Sequence, residues 1–131
     1  MIRSLYRSQD ERLRTDLRPD EFAAALQDVG GLLWVDFLDE PPDACEPILR
    51  DTFGFHPLAV DDALQESHVP KLDDWGEYLY LVLHAVLFDR QDGGHVDTLE
   101  LDVFLGQNFI VTHHDQPIAA VDHASSIRRV L

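Results

Sequence analysis

Apolar side chains sit on both parities of the segment from Leu32 to Leu38. Leu33, Val35 and Phe37 point one way, Leu32 and Trp34 the other. A strand that is apolar on both faces belongs in a sheet covered on both sides. Tyr78 to Asp89 is a second apolar run of strand type. Thr98 to Leu105 alternates, with Leu99, Leu101, Val103 and Leu105 on one face and Glu100 and Asp102 on the other. Gln91-Asp92-Gly93-Gly94 is a hairpin turn signal between these two. Gly106-Gln107-Asn108 turns the chain into a further strand, Phe109 to His113. The region 78–113 therefore predicts an antiparallel meander. Lys71 to Trp75 reads as a short strand before a bend at Gly76, Met1 to Tyr6 as an edge strand, and Arg7 to Arg14 as loop or a ragged continuation of it.

The helical period appears elsewhere. Pro19 to Asp28 carries an apolar stripe at Phe22, Ala25, Leu26 and Val29, with proline in the first turn and Gly30-Gly31 beyond the end. Asp43 to Phe53 has Asp43 as N-cap and Glu46 three residues on. Pro47 falls near the first turn, and the buried stripe is Cys45, Ile48, Leu49 and Phe53. Pro57 to Gln65 predicts a short helix with Val60, Ala63 and Leu64 toward the core. A last helix starts near Asp115-Gln116-Pro117, with Ala120, Ala124, Ile127 and Leu131 as its stripe. That pattern breaks off at Leu131 without a stop signal, as expected of a segment of a longer chain. Mixed early elements, a later meander and a closing helix give the fold class α/β. The expected architecture is an α/β/α sandwich, a mixed and largely antiparallel sheet flanked by helices, in a single domain over 1–131.

Charge narrows the function. Ten Lys and Arg stand against 25 Asp and Glu, a formal net charge of −15 over 131 residues. Nucleic acid and anionic membrane surfaces need cationic protein surface, so both are disfavoured as partners. A negative field attracts cations. The single cysteine, Cys45, permits no internal disulfide and reads as core, which suits a reducing cytoplasm. No stretch approaches the ~18 apolar residues of a membrane helix.

Few constellations carry chemistry. Asp61 and Asp62 lie in the short helix, with Gln65 and Glu66 one turn on. Adjacent carboxylates repel each other, a divalent cation relieves the repulsion, and oxygen ligands suit Mg²⁺ or Ca²⁺. The bland alternative is a solvated acidic helix face. His113 and His114 are neighbours at a strand end, so they point to opposite faces and cannot easily share an ion; they read as a polar strand terminus. His56, before Pro57, is extended and bonds locally. Ser67 lacks the glycines of a nucleophile elbow, and no phosphate loop or dinucleotide fingerprint occurs, so no enzyme is expected.

In order along the chain stand Trp34-Val35-Asp36, Phe53-Gly54-Phe55-His56-Pro57-Leu58, Asp61-Asp62-Ala63-Leu64, Pro70-Lys71, Tyr78 with its apolar strand, and Asn108-Phe109-Ile110-Val111-Thr112. This sequence resembles the cytoplasmic N-terminal domain of the CorA-type magnesium/cobalt transporters, with the zinc-transporting branch close behind. The resemblance implies a homopentameric channel whose soluble domain leads into a stalk helix and two membrane helices. Those later parts, with their Gly-Met-Asn pore signature, are not in this sequence, so the chain does not itself span the membrane. The resemblance also implies that Mg²⁺ binds between neighbouring protomers and favours closure, with Co²⁺ and Zn²⁺ as further ions. Asp62 would supply one side of that site and Asp61 would assist. A carboxylate from a stalk helix would supply the other side. The chain departs from the family in carrying Asp61 where Glu is usual, and His68-Val69 where Gln-Arg is usual. The expectation is thus a regulatory domain on the cytoplasmic side of the cell membrane. Its alternatives are the same domain of a zinc transporter, or a stand-alone binding module.

Overall fold

The computed structural model describes residues 1–65, 69–89 and 93–125. Seven strands form one sheet: β1 (Ile2–Arg7), β2 (Leu13–Thr15), β3 (Leu32–Leu38), β4 (Lys71–Asp74), β5 (Tyr78–Asp89), β6 (His95–Gly106) and β7 (Phe109–His114). Their order is β2-β1-β3-β7-β6-β5-β4. All neighbours are antiparallel except β3 and β7, which run parallel with Val35 opposite Val111. The sheet is mixed and the 78–113 meander is present. The turn at Gln91 and Asp92 lies outside the described residues. β1 is not an edge strand, because Leu13–Thr15, which overlaps the end of the segment read as loop or ragged continuation, pairs along its outer side. Three residues are too few to show a period, so the pairing was not legible.

Three helices cover one face of the sheet: α1 (Phe22–Gln27), α2 (Pro42–Pro47) and α3 (Pro57–Leu64). Their apolar residues Phe22, Ala25, Cys45, Ala59, Val60 and Ala63 join Leu33, Val35, Phe37, Tyr80, Val82, Phe104 and Val111 in one buried core. Pro19–Glu21 is a 3₁₀ turn ahead of α1, and Val29 is 76% exposed, outside the expected stripe. The helix α2 begins one residue before Asp43, and no side chain caps it. Pro47 stands at its end rather than in its first turn, and Ile48–Thr52 follows as a π turn closed by Phe53 N–H to the Ile48 carbonyl. A proline cannot donate into the ladder, and this wider turn accommodates the missing bond.

The last helix, α4 (Ala119–Ser125), lies on the opposite face. Arg3 reaches it from the face that β1 shares with Asp36. Val121 and, just before the helix, Ile118 are buried, while Ala120 is exposed, so the apolar stripe is rotated from the one expected. Ile127 and Leu131 lie outside the described residues. Among the described residues nothing beyond α4 covers this second face over β4, β5 and β6, where Leu72, Leu83 and Leu105 are exposed. On β6 the face bearing Leu99, Leu101, Val103 and Leu105 is turned away from the core. The face with Asp102 and Phe104 lies under the helices, both side chains buried. Among the described residues no helix is long and apolar enough to cross a membrane.

Candidate metal-sensing site

The start of α3 is fixed from both sides. Gly54, at φ +71°, takes the left-handed conformation that ends the π turn. Phe55 then stacks on Phe104 at 4.1 Å between ring centroids and is 3% exposed. The His56 backbone N–H donates to the Tyr78 hydroxyl (2.8 Å), and its Nδ1 accepts from Leu58 N–H (3.1 Å) as the helix cap. Proline at the first helical position completes the start. His56 is therefore a local structural residue, as its sequence position suggested.

The helix α3 buries Ala59, Val60 and Ala63 and so turns its acidic pair outward. Asp61 is exposed and makes no ion pair among the described residues. Asp62 is half-buried and faces β4: Lys71 Nζ lies 2.7 Å from its Oδ2 and 3.1 Å from Asp73 Oδ2. The Lys71 ammonium also sits 5.5 Å from the Tyr80 ring centre. Its hydrogen bond to Asp62 raises the Lys71 pKa, desolvation partly opposing and Asp73 adding to the rise. Two carboxylates around one ammonium leave this corner with an excess negative charge.

Below the pair lies a polar seam that the sequence reading missed. Tyr80 Oη donates to Asp102 Oδ1 (2.7 Å). Burial pushes the Asp102 carboxyl up to about 6, against the nearby His113 ring and the Tyr80 hydrogen bond, which favour its charge. Burial also raises the Tyr80 hydroxyl, with Asp102 reinforcing it. His113 Nδ1 stands 3.8 Å from Asp102 Oδ2, and a cavity of about 70 Å³ opens beside Asp102, Ala63 and Leu64. The one sequence signal for this seam was a carboxylate in mid-strand between apolar neighbours. His113 and His114 do face opposite sides, as expected. Neither is a solvated strand end, since both are buried. Cys45 is core, its thiol pushed up to about 11 by burial and then by Glu40.

The donor chemistry at α3 is all oxygen, the kind that suits Mg²⁺. The two side chains leave the helix about 100° apart in direction, so one chain presents them singly rather than as a chelate. Among the described residues no group of three His, Cys, Asp or Glu could hold an ion. Asp61 and Asp62 thus fit a part of a hydrated divalent-ion site whose other ligands come from outside this chain.

Comparison with known proteins shows the family and the fold. The family described as CorA-like Mg2+ transporter protein matches residues 29–129. YfjQ of Bacillus subtilis, a candidate metal ion transporter, is 42% identical over 81 residues, which are 62% of this chain and 24% of YfjQ. The magnesium transporter ALR2 of Saccharomyces cerevisiae is 23% identical over 96 residues, 73% of this chain and 11% of ALR2. The chain therefore spans a quarter or less of these two relatives. The soluble domain of CorA from Methanocaldococcus jannaschii superposes on all of this chain with a TM-score of 0.68 at 17% identity, the match taking 47% of that domain. The ZntB cytoplasmic domain of Vibrio parahaemolyticus gives 0.64 at 14% identity, over 96% of this chain and 48% of that one. These two likenesses establish the fold, and the match across 29–129 establishes the kinship: the chain belongs to the CorA-like Mg²⁺ transporter family.

Proposed function

We propose that this chain is the ion-sensing domain, on the cytoplasmic side of the membrane, of a homo-oligomeric divalent-cation channel. In this reading Asp62 supplies one side of a Mg²⁺ site between neighbouring protomers, with Asp61 assisting. The observation that carries it is the outward acidic pair on α3, Asp62 already holding a cationic group on an oxygen that an ion would use. A doubly charged ion shared across a subunit boundary favours whichever arrangement brings the two carboxylates together. If that arrangement is the closed one, filling the site shifts the population toward closure. Falling internal Mg²⁺ empties the site and restores repulsion, so uptake follows need.

Lys71 is the resident competitor. An arriving ion must take Asp62 from the ammonium, which retains Asp73 and the Tyr80 ring face as its rest position. The bare apolar surface of β4, β5 and β6 is assigned to further helices of the full-length protein. Relatives about two to three times as long as this chain leave sequence for them.

Flux through the full-length protein tests the assignment. Asp62→Ala should keep the channel open at internal Mg²⁺ that closes the native protein, and unchanged inhibition would remove Asp62 from the site. Comparing Mg²⁺, Co²⁺ and Zn²⁺ flux in the same assay separates this reading from that of a zinc transporter.

A further inference from the structure

The second face of the sheet carries a buried charge network that the ion-sensing reading does not use. Asp36 accepts four hydrogen bonds. Arg3 Nε (3.0 Å) and Nη2 (2.5 Å) reach its Oδ2, and Thr112 Oγ1 (2.5 Å) and His114 Nε2 (2.8 Å) reach its Oδ1. Thr112 Oγ1 also accepts from Trp34 Nε1 at 3.0 Å, which leaves its own proton for Asp36. The two bonds from the Arg3 guanidinium and the one from Thr112 already hold the Asp36 carboxyl ionised. The proton between Asp36 and His114 therefore sits on the imidazole Nε2.

The other ring nitrogen of His114, Nδ1, is 2.7 Å from the Gln116 carbonyl, which can only accept. Both nitrogens must donate, so the ring, 0% exposed, is an imidazolium. Arg3 spends its remaining arm, Nη1, on Asp122 of α4 at 2.8 Å. The four charges, Arg3 and His114 against Asp36 and Asp122, then sum to zero. The groups that face His114 are Arg3 from β1, Asp36 from β3, and the Gln116 carbonyl from the turn before α4. Glu100 and Asp102 of β6 line the cavity beside His113, on the other face of the sheet.

We propose that Arg3, Asp36, His114 and Asp122 form a proton-dependent clasp that holds α4 and the turn before it on the sheet. Loss of the single His114 proton releases them. A neutral ring can donate to Asp36 or to Gln116 but not to both, so one acceptor is left orphaned in a buried site and the network gains a net negative charge. Burial lowers the His114 pKa, but the hydrogen bonds to Asp36 and the Gln116 carbonyl outweigh it and leave it above the ordinary value of 6.5. The docked state thus holds the proton more tightly than the released one. The clasp is at full strength below pH 6.5 and weakens as pH rises toward the raised value, above which its contribution is gone. Cytosolic alkalinisation would free α4, and with it whatever the chain carries beyond.

A pH titration of this chain by NMR tests the clasp. The His114 ring signals should titrate above 6.5. The amide protection of residues 119–125 should fall with the same transition, by about tenfold per pH unit. His114→Gln should abolish that pH dependence. If that variant does not fold, Asp122→Asn serves in its place, and α4 should then be poorly protected at every pH from 5.5 to 9 while β7 stays protected. A His114 midpoint at or below 6.5, α4 signals that ignore it, or unchanged α4 protection in Asp122→Asn would each overturn the proposal.

Discussion

Lys71 shows how much depends on single side chains here. It neutralises part of the corner where Asp62 and Asp73 converge, and any divalent ion at Asp62 must compete with it. Lys71→Met should lower the Mg²⁺ concentration for half-maximal binding to the full-length protein by about fivefold, the scale of an exposed ion pair. Lys71→Arg, which keeps the charge, should leave it nearly unchanged. Calorimetric titration with Mg²⁺ reads both. Asp102 gives a second prediction, about pH. Its folded pKa of about 6 lies above the ordinary 3.8, so burial costs nothing below pH 4, the cost grows as pH rises, and it is complete above about 6. Asp102→Asn should therefore gain stability at pH 8, on the order of 3 kcal/mol, and little at pH 4, as measured by urea unfolding at the two pH values. Asp36 works in the opposite sense. Burial raises its pKa, but bonds from His114, Thr112 and Arg3 lower it more, so its contribution is present above pH 3.8 and lost as pH falls through the lowered value.

At the scale of elements, the placement of α3 depends on an aromatic clamp. Phe55 stacks on Phe104 and packs against Tyr78 and Phe109. Phe55→Ala should cost about 3–5 kcal/mol in denaturant unfolding. The elements with a strong period were legible in the sequence. β3, α3, β7 and the meander stand where alternation and helix signals put them, and Asp61 and Asp62 lie outward because Val60 and Ala63 point in. Other features were not legible, for physical reasons. Three residues of β2 carry no period. The π turn after Pro47 answers a backbone deficit that appears only once α2 is placed. On β6 the buried face is the one with carboxylates, because Tyr80 arrives from β5 to donate to Asp102 and the His113 ring of β7 stands beside it. Alternation put His113 and His114 on opposite faces, but their partners are distant in sequence. Asp36 lies 78 positions from His114, and Asp122 lies 119 from Arg3.

For the whole molecule, charge and open surface point the same way. A net charge of −15 favours cation partners, and a sheet that among the described residues is covered on one face and half bare on the other offers apolar surface for further protein to pack on. With the remainder of the full-length protein removed, this chain is expected to be a monomer or weak dimer by light scattering. A tight pentamer would mean that the interface lies within these 131 residues. The most direct test of the account is a structure of the intact assembly in saturating Mg²⁺. An ion should lie at the boundary between protomers, coordinated by Asp62 directly at about 2.1 Å or through a bound water. Well-resolved density with nothing coordinated near residues 61 and 62 would contradict it.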